Sequence, residues 1–234
     1  MVRNKAVQCL MALAALLLTA GAAQAREIKF DVFVLGGAST LVDARYFQSA
    51  SEQFHSRFEY APKFNLGVAV PYGKLFSIEL GYSGGPNNLV ITDTSVFPHP
   101  AILYPVRVYM GSLSGVVHAP FSWKHVQPYA EGGVEYDKFN PTPAAVSTAK
   151  NQGFGAVSTA SINGNDKVGM NLGCGLDRKI MKRITLRLDL RDHFTGSPHF
   201  GLPNSASPGV VFPVSGRAHN IEYTAGIVFH LGKR

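Results

Sequence analysis

Ile184-Thr185-Leu186-Arg187-Leu188-Asp189-Leu190-Arg191 sets four aliphatic side chains on one face and Thr, Arg, Asp and Arg on the other. A period of two is the signature of a strand with unlike faces. A slip of one residue would carry Arg187, Asp189 and Arg191 onto the aliphatic face together, so the register is strongly specified.

The same alternation recurs along the chain. The last segment opposes Ile221, Tyr223, Ala225, Ile227, Phe229 and Leu231 to Asn220, Glu222, Thr224, Gly226, Val228 and His230. The first sets Ile28, Phe30, Val32 and Val34 against Glu27, Lys29, Asp31 and Phe33. Phe64 to Val70 alternates with Lys63 to Ala69, Phe76 to Tyr82 with Ser77 to Ser83, and Val168 to Leu176 with Lys167 to Asp177. Residues 125–137 place Gln127, Tyr129, Glu131, Gly133, Glu135 and Asp137 on the polar side, with Pro128 delaying the regular ladder. Segment 105–118 is irregular: Arg107 and Tyr109 share a face while Ser112 and Ser114 fall on the other. A bulge or register change is expected there. Eight strands result.

Short connections fall near Pro71-Tyr72-Gly73, Ala119 to Lys124 and Arg178 to Arg183. Long ones, rich in Gly, Pro, Ser, Thr and Asn, cover 37–61, 84–104, 138–165 and 194–217. The expectation is an all-β, eight-stranded antiparallel up-and-down barrel, with short turns on one rim and long loops on the other. No stretch after residue 25 is apolar for long enough to span a membrane as a helix, and a closed barrel is the other way to pair every backbone group in lipid.

Alternation alone is equally compatible with a secreted, lipocalin-like barrel turned inside out. Three features favour aliphatics facing lipid. The polar face is rich in glycine (Gly67, Gly81, Gly133, Gly169, Gly173, Gly175, Gly226), which makes room in a narrow lumen. Its charges carry both signs: Lys29, Asp31, Glu79, Arg107, Glu131, Glu135, Lys167, Arg187, Asp189, Arg191 and Glu222 form the expected lumen network. Buried charges must be matched. Aromatics (Phe64, Tyr82, Tyr136, Tyr223, Phe229) gather toward strand ends, where an interfacial girdle lies.

Residues 1–25 read as a cleaved signal peptide. Arg3 and Lys5 precede the apolar run Leu10–Leu18, and small residues end in Ala23-Gln24-Ala25. The run is shorter than the roughly 20 residues of a spanning helix. Residues 26–234 are then one barrel domain with no second domain after it. Loss of Arg3 and Lys5 lowers the formal charge from +7 to +5. The bases are scattered, which excludes a nucleic-acid-binding block. Cys174 is the only cysteine after residue 25, so no intrachain disulfide forms.

Together the signal, eight alternating strands, short turns and long loops resemble the OmpA/OmpX-type family of small outer-membrane barrels, over essentially all of residues 26–234. The resemblance implies an outer-membrane monomer among lipid and lipopolysaccharide, inserted by the barrel-assembly machinery, with turns periplasmic and loops extracellular. One departure is the tail: such chains commonly end on an aromatic, whereas here Phe229 is followed by His230-Leu231-Gly232-Lys233-Arg234.

Chemistry is harder to find. A lipid A deacylase would carry His-x-Ser on a strand; the nearest approach is His193-Phe194-Thr195. Gly111-Ser112-Leu113-Ser114-Gly115 lacks the central serine of a nucleophile elbow. His193 and His199 bracket Phe194 to Pro198 at the start of the last long loop, and read as solvated loop histidines rather than an acid–base or metal site. His55 and His99 lie in other long loops. No cofactor or metal motif stands out. Eight strands enclose a space that side chains fill, so the interior charges read as filling before they read as a channel. The expectation is a non-enzymatic outer-membrane barrel serving envelope integrity or surface interaction, with an extracellular ligand met by the loops. A lipid-modifying enzyme, a narrow channel and a secreted binding barrel are the alternatives.

Overall fold

The structure is a computed structural model, and it describes residues 29–42, 54–93, 98, 101–151, 164–196 and 217–231. The expected signal segment, His99, His199 and the tail from Gly232 lie outside these residues.

Eight antiparallel strands close a barrel: β1 (Phe30–Val42), β3 (Ala61–Tyr72), β4 (Phe76–Pro86), β7 (Val106–His118), β8 (Val126–Pro141), β9 (Asn165–Met181), β10 (Ile184–Gly196) and β11 (Arg217–Leu231). Each pairs with its neighbour, and β1 pairs with β11 to complete the ring. Val34 leads through Leu66, Tyr82, Gly111 and Tyr136 to Val168 of β9. In the other direction it leads through Ile227 and Leu186 to Arg178. The two arrivals are ten residues apart on β9, which is the shear of the barrel. Closure with such a stagger tilts the strands by about 35–45°.

Every barrel strand keeps its alternation. Leu186, Leu188, Leu190, Val168, Met170, Leu172, Leu66, Val68 and Ile227 are exposed on the outside, while their polar neighbours are buried inside. The protein is therefore apolar outward and charged inward. Outward aromatics form two belts, Phe30, Tyr72, Phe76 and Phe229 toward the turns and Phe64, Tyr82, Tyr109, Tyr136 and Tyr223 toward the loops. Phe64 packs on Tyr82, and Tyr82 stacks on Tyr109 with ring centroids 6.3 Å apart. Among the described residues no helix is long and apolar enough to cross a membrane.

Segment 105–118 departs from expectation. β7 pairs with β4 and β8 without a break from Val106 to His118, so it has neither bulge nor register change. Its inward set is Val106, Val108, Met110, Ser112, Ser114 and Val116, all buried. Arg107 belongs to the opposite face and is exposed, outside the lumen network in which the sequence had placed it. The physical reason is that polarity inverts near the loop rim, where the outside meets water and the inside meets an apolar plug.

The long connections are partly built. β2 (Phe54–Phe58), β5 (Leu89–Asp93) and β6 (Ala101–Tyr104) form a three-stranded flap in the order β2-β5-β6. β5 and β6 keep the register of β4 and β7, from Pro86↔Arg107 to Leu89↔Tyr104. The Asn87 amide bridges the gap by donating to the Val106 carbonyl at 2.8 Å. The flap thus continues the wall beyond the rim. Helix α1 (Pro143–Asn151) rests on β6. Thr142 caps it, its hydroxyl accepting from the Ala145 amide at 3.3 Å, with Pro143 at the first helical position. Phe58, Leu89, Tyr104, Val106, Val108, Phe139 and Leu41 are all buried at this end. Burial pushes the Tyr104 hydroxyl up to about 12.

Candidate functional site

The lumen is a ladder of ion pairs along the barrel axis, built almost wholly from residues two apart on facing strands. At the turn end the His230 imidazole meets Asp31 at 2.8 Å through Nδ1 and the Thr185 hydroxyl at 2.7 Å through Nε2. Nearby, His118 Nε2 lies 3.0 Å from Asp177.

Arg187 forms the next rung. Its Nε and Nη2 donate to the two oxygens of Asp177, both at 2.9 Å, and Nη1 donates to Glu79 at 2.7 Å. Such a forked pair matches guanidinium to carboxylate geometry. The guanidinium also lies 4.7 Å from the ring of Tyr129 and 5.9 Å from that of Phe33. Tyr129 donates to Asp189 at 2.6 Å. Gly175 and Gly67 make this possible, because a Cβ at either would run into the Tyr129 or Phe33 ring.

Arg191 forms the third rung, donating through Nε and Nη2 to Glu131 at 2.5 and 2.8 Å, with Asp189 3.3 Å away. Above it, His193 sits between two carboxylates. Its Nδ1 is 2.6 Å from Glu135 and its Nε2 3.5 Å from Glu222. Glu222 also accepts from Asn65 at 3.4 Å and Ser83 at 3.2 Å. Lys63, buried beside them, faces Glu222, Asp137 and Glu135. Beyond this level the apolar plug begins.

Of the sequence-predicted set, Glu79, Glu131, Glu135, Arg187, Asp189, Arg191 and Glu222 come together in this ladder, and Asp31 ends it at the turn side. Lys167 is half-buried at the loop end of β9, near Gly196. Lys29 is exposed just before β1, and Arg107 is exposed on the outer face. Neither belongs to the ladder.

The sequence reading missed several members. Asp177, Tyr129, Asp137 and Lys63 lie on the polar faces already recognised, so period two alone was signal enough. His193 is the main correction. It is a strand residue, 2% exposed, not a solvated loop histidine, because β10 runs on to Gly196. Arg187, Asp189, Arg191 and His193 follow at steps of two, and that step was the available signal. Ser112 and Ser114 face inward and are buried, and Ser114 donates to Asn171 at 2.9 Å as part of the filling.

Neither a family model nor a curated protein sequence matches the chain. Solved structures do resemble it in fold. Neisserial surface protein A superposes with a TM-score of 0.53 at 9% identity, covering 86% of this chain and 96% of that one. The outer membrane protein OprG from Pseudomonas aeruginosa gives 0.52 at 13% identity, covering 88% and 97%. The chain has the fold of these small outer-membrane barrels.

Proposed function

We propose that the chain is an outer-membrane β-barrel, exported behind a cleaved segment 1–25, that serves the envelope or its surface through its loop end without catalysing a reaction. One observation carries this: the barrel is inverted, with aliphatics exposed on the outside and paired charges within. In water that arrangement would expose the aliphatic bands of eight strands. In a bilayer it pairs the strand backbone within the closed ring and keeps the mid-barrel charges away from lipid. The likeness to barrels named as surface and outer-membrane proteins supports the same reading.

In this reading the turns face the periplasm, and the loops, flap and α1 face outward toward lipopolysaccharide and any ligand. The protein acts as a monomer inserted by the barrel-assembly machinery. His193, the one residue near a deacylase-like pattern, lies enclosed between Glu135 and Glu222 rather than open at a rim.

Cys174 provides the test, because it lies on the outer face between Leu172 and Leu176 and is exposed there. In folded protein in vesicles, a membrane-soluble maleimide should label it and a charged, impermeant thiol reagent should not. Gel migration should also change on boiling. A detergent-independent, water-soluble monomer whose Cys174 reacts with the charged reagent would overturn the reading in favour of a soluble barrel. The lipid A mass spectrum should be unchanged by expression; a modified lipid A would establish an enzyme instead.

A further inference from the structure

Three turns join strands at the turn end of the barrel, and each sets exposed apolar side chains beside a cation. Tyr72 and Leu75 flank Lys74 between β3 and β4. Phe121 and Trp123 precede Lys124 between β7 and β8. Ile180 and Met181 precede Lys182 and Arg183 between β9 and β10. Arg178, Lys179 and Lys29 are exposed on the same rim. Among the described residues this rim exposes no carboxylate, since Asp177 and Asp31 turn inward to Arg187 and His230. Among the described residues its cations are therefore uncompensated.

The β7–β8 turn gives the pattern a specific geometry. Trp123 and Val126 exchange both backbone hydrogen bonds at 2.9 Å, closing a two-residue hairpin. Its central residues, Lys124 and His125, have φ of 48° and 67°. Asn-Gly is the favoured pair in such a turn, because side chains with a Cβ are strained at positive φ. Here a lysine and a histidine bear the strain, and the lysine Nζ lies 4.7 Å from the centroid of the Trp123 ring. The indole is 70% exposed. Exposed tryptophan is enriched where a bilayer meets water, and cations at that depth meet lipid phosphates.

We propose that the turn rim is a docking surface for anionic phospholipid headgroups in the leaflet on that side. Lys74, Lys124, Lys182 and Arg183 contact the phosphates, and Phe121 and Trp123 seat in the interface. The proposal rests on the membrane-barrel reading. A soluble polyanion would satisfy the charge but leave an exposed apolar partner in water at each turn. A lipid leaflet satisfies both. A zwitterionic surface would leave the excess of positive charge unmatched.

Trp123 is the only tryptophan of the chain and so reports from the surface itself. The mature protein is refolded into phosphatidylcholine vesicles with a minor fraction of phosphatidylglycerol. Bromine is carried on the acyl chains of one lipid or the other, at equal mole fractions of the brominated species. Quenching by brominated phosphatidylglycerol should exceed that by brominated phosphatidylcholine, with a local enrichment on the order of fivefold. High salt should collapse the difference. So should the combined variant Lys74→Gln, Lys182→Gln and Arg183→Gln, which leaves the reporter hairpin untouched. Equal quenching by the two lipids overturns the proposal, as does undiminished selectivity in the variant. If neither lipid quenches Trp123, the membrane reading itself fails, and the docking surface with it.

Discussion

Arg191 holds a full charge in the barrel, met by the forked contact to Glu131 and by Asp189. Breaking a buried pair from one side costs far more than the pair is worth, because the remaining charge stays in a poor solvent. Arg191→Met should therefore lower stability in vesicles by about 3–5 kcal/mol in urea unfolding. Adding Glu131→Gln should recover most of that loss; an unaltered deficit in the double variant would show that the fork carries no net coupling. At this scale the mid-barrel residues were legible because alternation there has one meaning. Arg187, Asp189 and Arg191 point inward among their partners, and the aliphatics between them point outward. Near the loop rim that meaning inverts. Arg107 faces out above Tyr109, while Val106 and Val108 face in against the plug, and a polarity pattern read from the mid-barrel assigns all three to the wrong face. His193 was misjudged for a related reason, since β10 runs on through Thr195 and Gly196, which read as bends.

Strands and turns carry their own tests. Leu188 stands at the middle of the outer face of β10, between Leu186 and Leu190. Leu188→Arg should cost about 2–4 kcal/mol in lipid, the penalty for a cation at mid-membrane. Equal stability would mean that this face is not in lipid. The flap is a different kind of element. Period-two alternation is weak in its four- and five-residue strands, and Pro, Gly and Asn around them read as loop, so the extension of the β4–β7 ladder by β5 and β6 has no signature in the residues. Tyr104 reports on its docking. A phenol held near 12 against an ordinary value of 10.0 favours the docked flap only while protonated. Its contribution is full below about 10 and is lost as pH rises from there through about 12. Phenolate absorbance of folded wild type should show a tyrosine titrating near 12 that Tyr104→Phe removes; identical titrations would mean that the flap is undocked.

On the scale of the whole molecule, the interior is filled rather than open. Arg187, Arg191 and His193 with their carboxylates occupy its middle, and the buried Phe139, Val106 and Val108 close its loop end. Planar bilayers containing the protein should stay silent, and discrete conductance steps would require the ladder to part. The closing seam has a further consequence. β1 and β11 lie side by side, with Phe30 opposite Leu231, although nearly the whole chain separates them in sequence. Neither strand can be satisfied until the other exists, so the barrel cannot close piecewise. The entire chain must therefore be made and kept unpaired, with its aliphatic alternations exposed, before the ring can close. Its last hydrogen bonds are also those of highest contact order, the slowest kind to make.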